Sequence, residues 1–373
     1  MIFSNQDIEL LRLLRWCGSI HPNCLCGLHS EVEIEMLIKT ELVRKHTSSG
    51  TLALTGNGHL LLEGSGFSCP ELVPFSYRSD LIQRRVRSAN ILLTAYRAFI
   101  DPYAVSSSGL SKSPTLFLPS IIRGRKKNLW GSSRIAALLH IGDLYCGAYS
   151  VYPGVGTINL EDELKTLSNC TGGTKSIRMA LLFAGDTYAD VLAELMQPEY
   201  GEDGRLMSYG AMWRRSPVPV HLLSCDDVGA VQLRIMSQTD YRKKLAQAGL
   251  ASQYAPAPPE LPSCDGMMKG LPFVIAADMD LGRLDAACTE AERAGFNGVA
   301  AAALRGQIAT VLRERYRGRV KLFSITDETL KTAFGSALAL RTPDRTPYVD
   351  AEGGFMDASL NQTYRKTGGS VRK

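Results

Sequence analysis

The chain has 373 residues, of which 45% are hydrophobic, and its formal net charge at neutral pH is +5. This length predicts two or three domains, and this apolar content is enough for buried cores. No apolar run approaches the roughly 20 residues that a transmembrane helix needs, and the N-terminus lacks the pattern of a signal peptide. We therefore expect a cytoplasmic protein without membrane association, whose nine cysteines are free thiols.

Residues 1–66 have the pattern of a winged helix-turn-helix domain. Apolar residues recur at helical spacing in residues 8–14 and again in residues 34–42, which predicts two helices. Two β-prone runs then flank a polar turn at residues 48–50, which predicts a β-hairpin. Helices followed by such a hairpin are typical of domains that bind duplex DNA.

The charges of this predicted domain favour two different partners. Arg44 and Lys45 lie at the start of the hairpin, and Ser48 and Ser49 lie at its tip, and these side chains suit contacts to DNA phosphates. The second helix carries three acids that would repel phosphates, Glu31, Glu33 and Glu35. The alternative is therefore a winged helix that binds a protein partner.

Residues 67–114 are predicted to be a connecting region. Ser79 or Asp80 caps a helix that extends to about Ala98, and residues 101–114 are rich in Ser, Gly and Pro and predict a loop. Two basic clusters follow the winged helix, and such clusters attract phosphate in a salt-sensitive way. They consist of Arg84, Arg85 and Arg87 on the helix and of Arg125, Lys126 and Lys127 beyond it.

Residues 115–340 are predicted to form an α/β domain. Short β-prone runs alternate with amphipathic helical segments, which favours a largely parallel sheet covered on both faces. Residues 200–216 and 251–272 are predicted to be loops because they are rich in Gly or Pro. Residues 341–373 lack periodicity and predict a flexible basic tail. No internal repeat occurs at a fixed period, which argues against a solenoid or a propeller.

Two patterns in the α/β domain could indicate metal-dependent chemistry. Asp143, followed by Glu163-Leu164-Lys165, imitates the carboxylates and lysine of restriction-type nucleases. That chemistry needs Glu and Lys on a strand, whereas the pattern of this segment predicts the start of a helix. Four aspartates each follow a predicted strand, where they can hold Mg²⁺ or cap the next helix. They are Asp186, Asp226, Asp278 and Asp327.

The N-terminal domain also contains several residues that could bind zinc. Its potential ligands are Cys17, His21, Cys24, Cys26 and His29. Their spacings match no familiar zinc module, and thiols also pack well in small cores. We therefore predict no metal and no cofactor, and the sequence leaves open whether the chain is an enzyme.

Two blocks of sequence carry a family resemblance: LVRKHTSSGTLALTGNGHLLL at residues 42–62 and GSSRIAALLHIGDLYCGAYSVY at residues 131–152. Together they resemble the winged-helix proteins of plasmids and integrative elements, including replication-relaxation proteins. The resemblance implies DNA binding in the replication, transfer or regulation of a mobile genetic element. The alternatives are a metal-dependent nuclease or phosphoryl-transfer enzyme on the α/β domain, and an adaptor that binds protein. The sequence does not predict the oligomeric state.

Overall fold

The computed structural model shows a mixed α/β protein. It describes residues 2–25, 27–65, 78–101, 103, 116–117, 133–153, 159–170, 178–197, 208–350 and 353–356. The chain divides into two compact units, residues 1–93 with 341–373 and residues 94–340. The basic cluster predicted at residues 125–127 lies outside the described residues, as does most of the loop predicted at 101–114. No helix in the described part of the chain is both long and apolar enough to span a membrane.

The first unit consists of short helices around a small hairpin. Up to residue 97 the chain forms α1 (Asn5–Cys17), a 3-10 turn (Pro22–Leu25), α2 (Glu31–Lys39), β1 (Val43–Lys45), β2 (Leu52–Leu54), α3 (Gly56–Gly64) and α4 (Ser79–Arg97). Ser4 and Asp7 form a capping box that starts α1, and Ser30 and Glu33 form another that starts α2. Gly18, with φ of 75°, ends α1 in the left-handed conformation that glycine adopts without steric cost.

A third, very short stretch of chain pairs with the hairpin of the first unit. β1 and β2 pair antiparallel, with Val43 opposite Leu54 and Lys45 opposite Leu52. An isolated antiparallel bridge joins Ile20 to Leu52. Three stretches of chain therefore lie side by side, in the order Ile20, β2 and β1.

The C-terminal segment belongs to the first unit. The amide of Asn5 donates to the carbonyl of Thr346 at 2.8 Å, and the amide of Tyr348 donates to the carbonyl of Phe3 at 2.8 Å. The described residues 341–350 thus pack against the N-terminus, whereas the sequence predicted a flexible tail beginning there. Backbone pairing across more than 330 residues leaves no periodic pattern, so it could not be predicted from the sequence.

The second unit contains two five-stranded sheets. The first is formed by β3 (Leu116–Phe117), β4 (Ala137–Ile141), β5 (Leu144–Ser150), β6 (Arg178–Gly185) and β7 (Val220–Ser224), in that order. The second is formed by β8 (Tyr254–Ala255), β9 (Gly266–Met268), β10 (Leu271–Ile275), β11 (Val299–Ala303) and β12 (Val320–Ser324), also in chain order. The predicted loops at 200–216 and 251–272 therefore contain regular structure.

The helices of the second unit connect and cover these strands. They are α5 (Leu160–Cys170), α6 (Tyr188–Leu195), α7 (Tyr209–Arg215), α8 (Asp227–Met236), α9 (Tyr241–Leu250), α10 (Leu281–Arg293) and α11 (Asp327–Phe334). An irregular helical segment with a π-turn at Ile308–Leu312 joins β11 to β12. The core includes the buried aromatic side chains of Tyr149, Phe183, Tyr188 and Tyr316.

The two sheets have the same topology. In each, the first three strands form an antiparallel meander, and the last three are parallel to one another. Each meander also has a two-residue turn before its third strand, since Ile141 pairs with Leu144 and Met268 pairs with Leu271. The second unit therefore contains a repeated arrangement that no fixed period in the sequence revealed. The prediction of a largely parallel sheet holds for three strands of each sheet.

Candidate functional site

The predicted basic residues of the hairpin lie at its surface. Arg44 and Lys45 are both exposed on β1, where they pair with Ala53 and Leu52. Because successive side chains of a strand point to opposite faces, these two cations lie on opposite faces of the hairpin. Such an arrangement presents one cation on each side of β1.

The hairpin tip is organised around His46. The hydroxyls of Ser48 and Ser49 lie 3.0 and 3.1 Å from its Nδ1. The Ser49 hydroxyl also lies 2.9 Å from that of Thr51. The two serines predicted as phosphate ligands therefore help to shape the turn, and Ser48 remains exposed.

A half-buried histidine and a buried arginine lie together in the first unit, His59 on α3 and Arg15 on α1. Nη1 of Arg15, a residue that is 6% exposed, lies 2.6 Å from Nδ1 of His59. Nη2 of Arg15 lies 3.5 Å from a carboxylate oxygen of Glu63. Burial, and then the positive charges of Arg15 and Arg44, lower the pKa of His59 to about 4. Arg15, Arg44 and His59 thus share one electrostatic environment. Arg15 and His59 could not be predicted as neighbours from the sequence, since both occur in helices without a motif.

The three arginines predicted on the connecting helix do not have equal exposure. Arg84 is exposed, whereas Arg85 and Arg87 are half-buried. Cδ of Arg85 lies 3.6 Å from the position that a Cβ would occupy at Gly18. The thiol of Cys24 donates to Asn90 at 2.8 Å. α4 therefore runs along residues 18–24, the stretch that carries the Ile20 bridge to the hairpin.

The acids of α2 remain at the surface. Glu31 and Glu35 are exposed, and Glu33 accepts a hydrogen bond from Arg345 at 2.8 Å. Val32 is 67% exposed between them. The outer face of α2 is therefore acidic and does not suit entry into a DNA groove.

The four strand-end aspartates have separate partners. Asp226 caps α8, accepting from the amide of Gly229 at 2.9 Å, and Asp327 lies in the first turn of α11. Asp186 accepts from the hydroxyl of Tyr152 at 3.1 Å. Asp278 is fully buried among cations. Within the described ranges, no group of three His, Cys, Asp or Glu side chains is arranged to hold a metal ion.

Asp278 is the centre of a buried ionic cluster. Its carboxylate accepts from the hydroxyl of Tyr241 at 2.7 Å and from Nε of Arg242 at 2.8 Å, and Nη2 of Arg283 lies 4.0 Å away. Burial alone would raise the pKa of Asp278, but the two guanidiniums outweigh it and hold this pKa far below its usual range. Two cations already occupy the place of a metal ion, so we assign Asp278 a structural role.

The nuclease-like motif does not assemble. Glu163 lies on α5, as expected for a helix start, and is buried. It accepts hydrogen bonds from the hydroxyls of Ser133 at 2.5 Å and Tyr149 at 2.9 Å, and from the amide of Arg134 at 2.7 Å. Asp143 lies at an exposed turn and pairs with Arg178 at 2.7 Å. Each carboxylate thus has its own partners, and Glu163 ties α5 to the sheet.

The potential zinc ligands of the first unit also have other partners. Nε2 of His29 accepts from the side-chain amide of Gln6 at 2.7 Å, and the thiol of Cys24 bonds to Asn90. Cys17 is buried, which raises the pKa of its thiol well above the usual range. Cys26 lies outside the described residues.

This chain was compared with known protein families, curated proteins and solved structures. No protein-family model, curated protein or solved structure matches this chain.

Proposed function

We propose that the first unit is a winged helix-turn-helix that binds nucleic acid through its hairpin. The order of elements supports this proposal: α1, a short helical turn, α2, a hairpin, and the Ile20 bridge that adds a third strand. The observation that carries it is the exposure of Arg44 and Lys45 on the two faces of β1.

The distribution of charge within the unit supports contact through the hairpin instead of through α2. Ion pairs within the unit neutralise Arg12 with Glu9, Arg15 with Glu63 and Arg345 with Glu33. The hairpin cations Arg44 and Lys45 are exposed and lie opposite Ala53 and Leu52 of β2. The outer face of α2 is acidic, which favours phosphate contacts at the hairpin over base contacts by the helix.

The connecting helix extends the same basic surface. α4, which carries Arg85, runs along the stretch that contains Gly18 and Ile20. Ile20 pairs with β2, and β2 pairs with β1, which carries the hairpin cations. The exposed Arg84 is the α4 side chain best suited to a phosphate.

The role that follows is sequence-independent DNA binding in the replication, transfer or regulation of a mobile element, as the resemblance of residues 42–62 and 131–152 implies. Binding through phosphates releases counterions, so the affinity must fall steeply with salt. A DNA-binding function of this kind needs no catalytic residue in the second unit.

The experiment is a fluorescence anisotropy titration of a labelled 30-base-pair duplex at several salt concentrations. The double variant Arg44→Ala, Lys45→Ala should bind about tenfold more weakly, and the slope of log affinity against log salt should fall by about 2. The matched control is Arg313→Ala, Arg317→Ala, which removes two exposed cations from the second unit. Equal losses in both variants, or no binding by the natural chain at 50 mM salt, would refute the proposal.

The double variant Glu31→Gln, Glu35→Gln distinguishes DNA binding through the hairpin from DNA binding through α2. If α2 lies against the phosphates, removal of two repulsive charges should tighten binding about tenfold or more. If the hairpin makes the contact, the affinity should change by no more than about twofold at 150 mM salt, where the Debye length is about 8 Å.

A further inference from the structure

A cavity of about 860 Å³ opens on the second unit. Its wall is formed by the residues that follow α4, the turn between β4 and β5, and the segment between α8 and α9. The lining residues that carry the argument are Phe99, Arg178, Arg234, Asp240 and Lys243. The volume lies within the range of small-molecule sites, about 300–1,000 Å³.

Arg234 is a cation without an anionic partner. Its Nε is enclosed by protein and has no hydrogen-bond acceptor, and no described carboxylate pairs with its guanidinium. The guanidinium carbon lies 4.8 Å from the ring centroid of Phe99. Burial lowers the pKa of Arg234, because the charged form has lost water without gaining a counter-charge. An anion in the cavity would supply that counter-charge.

The first turn of α9 adds hydrogen-bond donors to the same wall. Asp240, the residue before the helix, has φ of 53°, and its side chain does not cap the helix. The first helical hydrogen bond goes from Lys244 to the carbonyl of Asp240, so the amides of residues 241–243 precede it. Uncapped amides at a helix start, with the positive end of the helix dipole, attract phosphate. Lys243, which is exposed, adds a full positive charge.

Two residues of this wall have a strained backbone conformation. Phe99 and Asp240 both have positive φ, at 61° and 53°, although neither is glycine. Such conformations cost of order 1–3 kcal/mol and are common where a ligand is bound. The strain at Phe99 accompanies a side chain that is 49% exposed. An exposed aromatic ring beside an unpaired cation is suited to stacking with a planar ring.

The other charges of the wall are neutralised in pairs. Arg178 pairs with Asp143 at 2.7 Å, and Arg283 pairs with Asp265 at 2.9 Å. Arg242 is held by the buried Asp278. The charges that remain are those of Arg234 and Lys243, opposed by Asp240 alone, so the cavity has an excess of positive charge.

We propose that this cavity binds a nucleotide, a small phosphorylated molecule with a planar base. Its phosphates lie against the first turn of α9 and the cations Arg234 and Lys243, and its base stacks on Phe99. The site is separate from the hairpin of the first unit, so the proposal stands or falls independently of DNA binding.

Isothermal titration calorimetry on the full chain tests the ligand class. The probes are ADP, GDP, inorganic pyrophosphate and adenosine, each at up to 5 mM. Binding of at least one nucleotide more tightly than both pyrophosphate and adenosine supports the proposal, since phosphate and base then both contribute. Failure of both nucleotides to bind overturns it. Equal affinity for nucleotides and pyrophosphate overturns the contact to the base.

Two neighbouring lysines provide a matched test of the location. Lys243 lines the cavity and Lys244 does not, although both are exposed in the first turn of α9. Lys243→Gln should weaken nucleotide binding about fivefold, the effect of one charge at about 4 Å in water, and Lys244→Gln should leave it within twofold. Asp240→Asn should tighten binding about threefold, because it removes the one opposing charge and Asn tolerates positive φ. Equal effects of the two lysine variants would overturn the site.

Phe99→Leu tests the stacking contact. It should reduce the affinity for nucleotides and leave the affinity for pyrophosphate unchanged, because only the base loses a partner. The melting temperature without ligand serves as the folding control for each variant. If Phe99→Leu weakens the binding of pyrophosphate as much as the binding of nucleotides while the chain stays folded, the assignment of the base to Phe99 is wrong.

Discussion

The side chain of Gln6 joins His29 to the C-terminal segment. Its amide nitrogen lies 2.7 Å from Nε2 of His29, and its amide oxygen accepts from the backbone amide of Asp344 at 3.2 Å. The second contact fixes the orientation of the amide, so Nε2 of His29 must be an acceptor and the imidazole must be neutral. Burial is the main cause that lowers the pKa of His29 to about 4.

This arrangement predicts a loss of stability in mild acid. The folded-state pKa of His29 is about 4, below its value of about 6.5 in the unfolded chain. The unfolded chain therefore takes up a proton first, and stability is present above pH 6.5 and is lost as the pH falls toward 4. His29 should contribute a loss of about 2 kcal/mol between pH 7.5 and pH 5. Urea denaturation at both values, followed by tryptophan fluorescence, measures it.

The control for this prediction is His29→Gln. It should be less stable than the natural chain at pH 7.5 and should lose less stability on going to pH 5. His59 has a pKa of about 4 as well, so part of the pH dependence should persist in the variant. An unchanged pH dependence in His29→Gln would contradict the assignment of a buried, neutral imidazole.

Asp278→Ala should strongly destabilise the second unit. Removing this carboxylate leaves Arg242 and the 13% exposed Arg283 without their shared counter-charge. Breaking a buried ion pair in this way costs about 3–5 kcal/mol. The matched control is Asp327→Ala, an exposed residue that also follows a strand, which should cost no more than about 1 kcal/mol. Urea denaturation measures both.

The metal interpretation of Asp278 makes the opposite prediction. If Asp278 held Mg²⁺, millimolar Mg²⁺ would stabilise the natural chain and not Asp278→Ala. We expect no difference between the chains in their response to Mg²⁺. A shift in melting temperature confined to the natural chain would show that the ionic cluster is a metal site.

The parts of the fold that the sequence predicted are those with local signals. β5, β6 and β7 are apolar runs bounded by turn residues, and Asn159 caps α5 as expected, with Oδ1 accepting from the amide of Glu161 at 3.1 Å. β11 was missed because its sequence is Val followed by four alanines, and alanine is the best helix former. α9 was missed because lysines and a Gly interrupt its apolar pattern.

The sites were harder to predict than the elements. The exposure of Arg44 and Lys45 could be expected from their place at the start of a hairpin, and their contact with phosphates stays a prediction. The cavity is different, because residues separated by more than 130 positions, such as Phe99 and Arg234, meet only in the folded unit. Its unpaired charge is likewise a property of the packing, since nothing in the sequence shows which arginine lacks a carboxylate.

Glu163→Ala should destabilise the second unit more than the same substitution of an exposed glutamate in that helix. Three donors converge on the Glu163 carboxylate, from Ser133, Arg134 and Tyr149, and its loss leaves the buried hydroxyls of Ser133 and Tyr149 without this acceptor. Each unsatisfied donor costs about 1–3 kcal/mol, so a total of about 3 kcal/mol or more is expected. Glu161→Ala, in the same first turn but exposed, should cost less than about 1 kcal/mol. Similar losses in both variants would contradict the role of Glu163.

Gly229→Ala tests the close approach of α8 to the end of β7. Alanine normally stabilises a helix relative to glycine by up to about 1 kcal/mol. At position 229, however, a Cβ would lie 1.8 Å from the carbonyl oxygen of Ser224, which is backbone and cannot rotate away. We expect Gly229→Ala to destabilise the second unit by about 1–3 kcal/mol, as overpacking does.

Gly282→Ala is the matched control, because Gly282 also lies in the first turn of a helix, α10. The nearest atom to a Cβ there is Oδ1 of Asp280, at an ordinary 3.5 Å. Without a clash, the smaller conformational freedom of alanine in the unfolded chain should stabilise the protein by about 0.4–1 kcal/mol. The two substitutions are chemically identical and should have opposite signs in urea denaturation. Stabilisation by both would mean that α8 and β7 are not as close as the structure describes, because the clash at Ser224 is the only difference that reverses the sign.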